Sequence, residues 1–481
     1  MIKPVNETVQ KLKRPVKITQ FGEGNFLRAF VDYMIDIANE MGVFDGSVRV
    51  VKPIARGSLE ALRSQDCVYT VLLRGVRDGE VSVERRVVTC VDGCVDAYEE
   101  YEDYADLAKS PNLRFIVSNT TESGIVYDDG DDISLKPPRT YPGKLTKFLY
   151  ERFTAFDGAA DKGLIILPVE LIEKNGAKLL EYCLKLAELW NLPERFISWL
   201  KNDNVFCGTL VDRIVTGYPQ DEAEALEREF GYTDKLLDTG EPFALWVIEC
   251  ETPEAVAAEF PLDKAGLPVI FTKDLQPYRE RKVRILNGAH TSSVLAAYLA
   301  GQRTVGGMMN DKTTRVFLEK ALYEDLVPMV PLPEDEVRRF AASVLDRFEN
   351  PYIKHNILSI ALNSVSKFKS RVLPTIVETW EQKGRLTETL CFSFAALIRF
   401  YMGGGDYDIM DDAPVLEFFA GNASLPPERL TDAFLAREDF WGRDLTKIPG
   451  LAASVAAKLK DILDIGMKAA MENFLYESFT N

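Results

Sequence analysis

Histidine is almost missing from this chain: His290 and His355 are the two in 481 residues. The seven cysteines, at 67, 90, 94, 183, 207, 250 and 391, are odd in number, scattered and never spaced Cys-x-x-Cys. A His/Cys zinc site is therefore not expected, nor is a disulfide framework, and no metal-ligating residue is predicted. Positive charge is also short, with 57 Lys and Arg against 74 Asp and Glu and a formal net charge of −17. That argues against nucleic acid and anionic membranes as partners, since both need a basic footprint. It also means that an anionic small molecule would need a locally basic pocket. No apolar run is long enough for a membrane span, and the opening Met1-Ile-Lys-Pro-Val-Asn6 has no secretory apolar core. The expectation is a cytoplasmic protein with reduced, mostly buried thiols. Hydrophobic residues make up 46%, ample for large cores, and the length predicts two or three domains. Nothing in the sequence sets an oligomeric state.

Residues 16–21 alternate and carry β-branched side chains, as a strand should. Gly22-Glu23-Gly24-Asn25-Phe26-Leu27-Arg28-Ala29 then runs into a helical pattern. Strand, glycine turn and helix together point backbone N–H groups at a pyrophosphate. The fingerprint is incomplete, because Leu27 stands where a third glycine is expected. Arg28 supplies a cation beside the turn that could reach phosphate. The second strand, 47–54, runs to Lys52-Pro53-Ile54 with Arg56 beyond it and no carboxylate to hold a ribose diol, so NAD and NADP are not distinguished there. Further strands are predicted at 68–74, 81–91, 113–119, 163–170, 243–249 and 267–272, with a hairpin around Asp78-Gly79. The third of these leads into the polar loop Thr120-Thr121-Glu122-Ser123. Asp212-Arg213 is either a buried brace or a site element. After Pro277 the periodicity turns almost wholly helical, which places a domain boundary near 275, with residues 1–275 and 276–481 as the two domains. The last helix is predicted over 448–475.

The chemistry centres on Lys282-Val-Arg-Ile-Leu-Asn287-Gly-Ala-His290. On a regular α-helix with Lys282 at zero, Arg279 falls at about 60°, His290 at about 80° and Asn287 at about 140°. These side chains share one arc, opening the second domain at its boundary with the first, where small-molecule clefts are commonest. Lysine can act as an acid/base, asparagine can donate to a carbonyl oxygen, and neutral histidine can orient a hydroxyl. A second stretch, Lys354-His355 through Lys367, Lys369 and Arg371, gathers cations in an acidic protein. It suits a carboxylate or phosphate, or is a solvated helix face.

These motifs resemble those of the polyol-specific long-chain dehydrogenase/reductase family, which includes mannitol dehydrogenases and hexuronate reductases. Gly22-x-Gly24-x-Phe26-x-Arg28-Ala29 is similar to its cofactor loop, Val211-Asp212-Arg213-Ile214 to its central signature, and Lys282-x4-Asn287-x2-His290 to its catalytic motif. The resemblance implies an α/β Rossmann-type N-terminal domain followed by a mostly α-helical C-terminal domain, and metal-free hydride transfer with NAD. It implies cofactor contacts over Ile18, Thr19, Gln20, Phe21, Gly22, Glu23, Gly24, Asn25, Phe26, Leu27, Arg28 and Ala29, with Thr121 and Glu122. Lys282, Asn287 and His290 are the implied catalytic set. Asp212, Arg279, Lys354, His355 and Lys367 are the candidates for holding substrate. Two positions depart from the mannitol dehydrogenases. Leu171 stands where they have an asparagine, and Arg279 where they have a glutamate before the lysine. A base at 279 suits a sugar acid, a hexuronate or aldonate, better than a neutral polyol.

Overall fold

A computed structural model describes residues 2–120 and 124–480. Two compact units form, Met1–Arg74 with Ser82–Leu275, and Gly75–Val81 with Gln276–Asn481.

The first unit is built on six parallel strands: β1 (Val16–Phe21), β2 (Ser47–Lys52), β3 (Val91–Asp96), β4 (Phe115–Ser118), β5 (Ile165–Pro168) and β6 (Val205–Phe206). Their order across the sheet is β3-β2-β1-β4-β5-β6. That is the doubly wound order, in which the chain reverses direction beside β1 and leaves a crevice at the strands' C-terminal ends. Helices cover both faces, so successive residues of a strand enter different cores. Ile18, Val50, Phe115, Val117 and Leu167 pack into one with Phe30, Trp246 and Phe260. Phe21, Val51, Ile116 and Ile166 pack into the other with Phe148, Phe196 and Trp199. This two-sided burial is why these segments read as apolar runs. A three-stranded sheet (Gly208–Asp212, Leu245–Glu249, Val269–Thr272), a two-stranded one (Lys3–Pro4 with Tyr232–Thr233) and a four-stranded one containing Tyr69–Arg77, Glu80–Val88, Val215–Gly217 and Asp238–Gly240 are also present; of the last, the hairpin tip Gly75–Val81 belongs to the second unit.

One predicted strand, 81–91, is in fact two. Glu80–Val88 belongs to the four-stranded sheet, and Val91–Asp96 is β3. The break falls at Thr89, whose N–H and hydroxyl both donate to Asp36 Oδ1, at 2.8 and 3.1 Å. That contact takes the backbone out of one ladder before it joins the next.

The second unit is helical. It includes the tip of the Asp78-Gly79 turn, where both residues have positive φ, 55° and 78°, as a two-residue hairpin of that type requires. Asp346 accepts the N–H of each, at 2.8 and 3.1 Å. Leu286, Val294, Leu373 and Phe394 are among the buried side chains. The predicted helix 448–475 is interrupted. Gly466 adopts φ +83°, which ends Leu451–Ile465 before Met467–Thr480 begins; the glycine permits a conformation that a β-carbon would oppose.

Candidate active site

The glycine turn sits at the C-terminal end of β1. Gly22 has φ +128° and donates its N–H to Val51 O at 2.9 Å. A β-carbon here would meet Leu27 at 2.9 Å and the Asn119 carbonyl at 3.1 Å, so both conformation and space demand glycine. At Gly24, by contrast, nothing lies within 4 Å of where a β-carbon would stand. Gly24 precedes the helix that begins at Asn25 and runs through a π-helical stretch, Arg28–Asp32, to Glu40. An open space over the N-terminus of a long helix fits a dinucleotide pyrophosphate.

Few side chains of the predicted loop are available to such a ligand. Glu23, Gly24, Asn25 and Phe26 are at least partly exposed, whereas Ile18, Thr19, Gln20, Phe21, Leu27 and Ala29 are buried and hold the turn. Gln20 Nε2 spans the Gly22 carbonyl and Asp32 Oδ2, 3.3 Å from each. Arg28 requires a correction. Its guanidinium is not presented beside the turn but is buried, bonded to the Leu236 carbonyl and to Asn25 Oδ1. It pairs with Asp238 at 3.8 Å and lies over the Tyr69 ring. Holding a buried carboxylate, it braces the helix. Arg213 acts similarly, donating to the carbonyls of Ala29, Pro242 and Phe243. Asp212, beside it, is buried at the end of its strand. Thr121 and Glu122 lie outside the described residues. Glu170, buried near the end of β5, accepts from Ser118 Oγ and from the N–H and hydroxyl of Thr120, fixing the start of that loop. Leu171, next to it, is 64% exposed.

Burial pushes the carboxyls of Asp32 and Asp238 up to about 7 from an ordinary 3.8; for Asp32 the Tyr69 and Gln20 hydrogen bonds oppose this, and for Asp238 the Arg28 charge does. Between about pH 4 and 7 the folded unit therefore keeps protons that the unfolded chain has lost, so stability falls as pH rises through that window. Each group contributes at most about 1.4 kcal/mol per pH unit. Urea unfolding should show a smaller free energy at pH 8 than at pH 5.5, and Asp238→Asn should flatten that difference; an unchanged slope in the variant would remove Asp238 from the account.

In the second unit, helix Gln276–Arg281 continues through a π-helical turn, Lys282–Asn287, into Gly288–Leu299. The predicted arc assumed a regular α-helix. The i→i+5 bonding of the π turn sets Lys282 and Asn287 at its two ends, closer in angle than the α-helical 140° or so, and such turns recur at functional sites. Both residues are partly exposed, as is Arg279. Neighbouring cations anchor the turn. Arg281 pairs with Glu336 and stacks on Phe340, and Arg284 makes two 2.6 Å bonds to Glu378.

His290 stacks on Phe348, with ring centroids 4.0 Å apart, and meets the His355 ring edge-on at 6.2 Å. Burial, then the charges of His355, Arg347 and Arg371, lower its pKa to about 3, so it is a neutral imidazole at working pH. Its buried Nε2 has no hydrogen-bond partner among the described residues, as expected of an atom that serves a ligand. His355 is itself lowered by burial and by Arg347. Lys367 donates to the Ile360 carbonyl at 2.9 Å and is lowered by burial and by Arg371. Lys354 is exposed. The structure thus brings His290, His355, Arg347, Arg371 and Lys367 together. Arg347 and Arg371 were not singled out from the sequence. Arg347 lies on helix Glu334–Phe348, far from either motif in the chain, and Arg371 read only as the end of a basic stretch. Among the described residues no group of three or more His, Cys, Asp or Glu is arranged to hold a metal ion, and no helix is long and apolar enough to cross a membrane.

Comparison with known proteins places this geometry. Residues 16–264 match the mannitol dehydrogenase Rossmann domain and residues 274–463 the mannitol dehydrogenase C-terminal domain. The chain is 48% identical over 467 residues to the altronate oxidoreductase of Escherichia coli O7:K1, covering 95% of this chain and 96% of that one. The altronate oxidoreductase of Shigella flexneri matches to the same extent. Among solved structures, Pseudomonas fluorescens mannitol 2-dehydrogenase, in ternary complex with NAD and D-mannitol, is 25% identical, with a TM-score of 0.64 over 97% of this chain and 96% of that one. A D-sorbitol dehydrogenase in substrate-free form shares the fold at 22% identity and a TM-score of 0.79, over 98% and 100% of the two chains. The chain belongs to the mannitol dehydrogenase family.

Proposed function

We propose that the protein is an NAD-dependent oxidoreductase that interconverts D-tagaturonate and D-altronate. The observation that carries this reading is 48% identity, over nearly the whole length of both chains, to altronate oxidoreductases. The site supports it. A half-buried cluster of Arg371, Lys367 and His355, in a protein of net charge −17, suits a sugar acid better than a neutral polyol. When bound, NAD supplies or takes up the hydride at the ketone carbon. Gly24 leaves room for its pyrophosphate at the turn that Gly22 makes, and the N-terminus of the helix from Asn25 favours the negative charge. Lys282 and Asn287 donate to the ketone oxygen as charge develops there, and Lys282 gives it a proton. His290, held neutral, offers Nε2 to that oxygen or to a neighbouring hydroxyl. Ammonium and amide donors thus do the work that a Lewis-acid metal does in other alcohol dehydrogenases. Arg371, with Lys367, His355 and Arg279, holds the carboxylate, and the exposed Lys354 adds less; Asp212, an acid, is a candidate for a substrate hydroxyl instead. Six of the seven cysteines are buried and all are free, in keeping with a cytoplasmic setting.

The test is NADH oxidation by the purified protein with tagaturonate, fructuronate, fructose and fructose 6-phosphate, with EDTA present. Preference for tagaturonate is expected. Preference for fructuronate would keep the chemistry and change the stereochemistry, and preference for fructose 6-phosphate would turn the basic cluster into a phosphate site. Loss of activity in EDTA would refute the metal-free mechanism.

A further inference from the structure

In a doubly wound dinucleotide fold an acidic residue at the end of the second strand usually holds the adenosine ribose. Here β2 ends in Lys52. A lysine there suggests attraction to the 2′-phosphate of NADP, but its surroundings say otherwise. The side chain is 2% exposed, and its ammonium pairs with Asp96 Oδ2 at 2.9 Å. It also donates to the carbonyls of Ile54, Ala55 and Arg56, at 2.8, 3.3 and 3.4 Å. With three protons and four acceptors it has nothing left to offer a ligand. It pins the loop that follows the strand.

The nearby carboxylate comes from the glycine turn instead. Glu23 Oε1 lies 3.7 Å from where a β-carbon on Gly57 would stand, and the Lys52 side chain borders the same point at 4.0 Å. Glu23 therefore projects over the end of β2, into space that Gly57 keeps open. It is partly buried, and among the described residues no side chain donates a hydrogen bond to it. Burial raises its pKa, an effect that its own backbone N–H and the Lys52 charge oppose and Asp96 adds to. A half-buried carboxylate to which no described side chain donates, at the switch point of the sheet, is placed to receive a hydrogen bond from a ligand.

We propose that Glu23 replaces the strand-end acid: it accepts hydrogen bonds from the adenosine ribose hydroxyls and repels a 2′-phosphate, so that NAD is chosen over NADP from within the glycine turn. This rests on the NAD reading above. The exposed Arg56 is the residue that would favour the opposite choice.

The experiment is direct binding of NADH and of NADPH to the full-length protein without sugar, followed by nicotinamide fluorescence, for wild type, Glu23→Gln and Glu23→Asp. Wild type should bind NADH at least about tenfold more tightly than NADPH. Glu23→Gln should weaken NADH by roughly ten- to hundredfold, the worth of hydrogen bonds to a charged acceptor, while NADPH binding holds or improves. Glu23→Asp should keep the preference. Equal affinity of wild type for the two nucleotides overturns the proposal. So does a Glu23→Gln variant that loses both equally, which would make Glu23 a support of the turn. Binding of neither nucleotide by wild type would refute the NAD reading itself, a different failure from an unchanged preference.

Discussion

Lys282→Ala should lower kcat by roughly 10² to 10⁴, the usual range for losing a positioned acid/base, while the dissociation constant for NADH stays within a few fold. The size follows from two roles lost at once. The ammonium stabilises charge developing on the ketone oxygen, and it then supplies the proton. Survival of NADH binding follows from where the two sites are built. Lys282 opens a π-helical turn of the helical unit, whereas the glycine turn is shaped by Gly22, Gln20 and Asp32 of the other. Lys282→Arg should not restore turnover, since a guanidinium keeps the charge but does not give up its proton at working pH. Steady-state NADH oxidation together with a fluorescence titration of NADH checks both parts. Near-normal turnover in Lys282→Ala would remove the lysine from the chemistry.

Arg371→Met should raise KM for the sugar acid by about ten- to hundredfold and leave kcat within a few fold, as expected when uniform binding is removed. Arg371 is half-buried, and among the described residues its side chain finds Thr291 Oγ1, at a long 3.4 Å, and no carboxylate. Burial lowers its pKa. A partly desolvated guanidinium without a counter-ion gains most when a ligand brings one. A neutral ketose lacks the carboxylate, so any residual activity on fructose should be unaffected by the substitution. An equal rise in KM for both sugars would mean that Arg371 supports the site without touching the acid group. A fall in kcat with KM unchanged would move it toward the reacting oxygen.

Some of this was legible in the chain and some was not, and the division follows the range of the forces involved. The buried strands at 16–21, 47–52, 115–118 and 165–168 were visible, because burial on both faces writes an apolar run into contiguous residues. The turn at Gly22 was visible because one residue must take positive φ against close neighbours. The break at Thr89 was hidden, since the carboxylate that makes it belongs to Asp36, on another element. Arg28 was misread for the same reason: its partners, Leu236 and Asp238, are distant in sequence, and nothing local says which way a guanidinium points. The Lys282-Asn287-His290 set was recognisable as a pattern, but its π-helical turn was not, because hydrophobic period does not report a single inserted residue.

The sequence by itself determined the main buried strands of the first unit, the change from alternating to helical texture near 275, and the residue types available for proton transfer. Those are set by backbone sterics and by solvent, which act on neighbours in the chain. Tertiary structure alone decided which cations are satisfied and which are not. Lys52 and Arg28 are each held by buried acids, whereas Arg371, beside Lys367 and the two histidines, meets none among the described residues. Electrostatic partnership depends on distance and burial in three dimensions, and residues far apart in the chain meet only once the cores have formed.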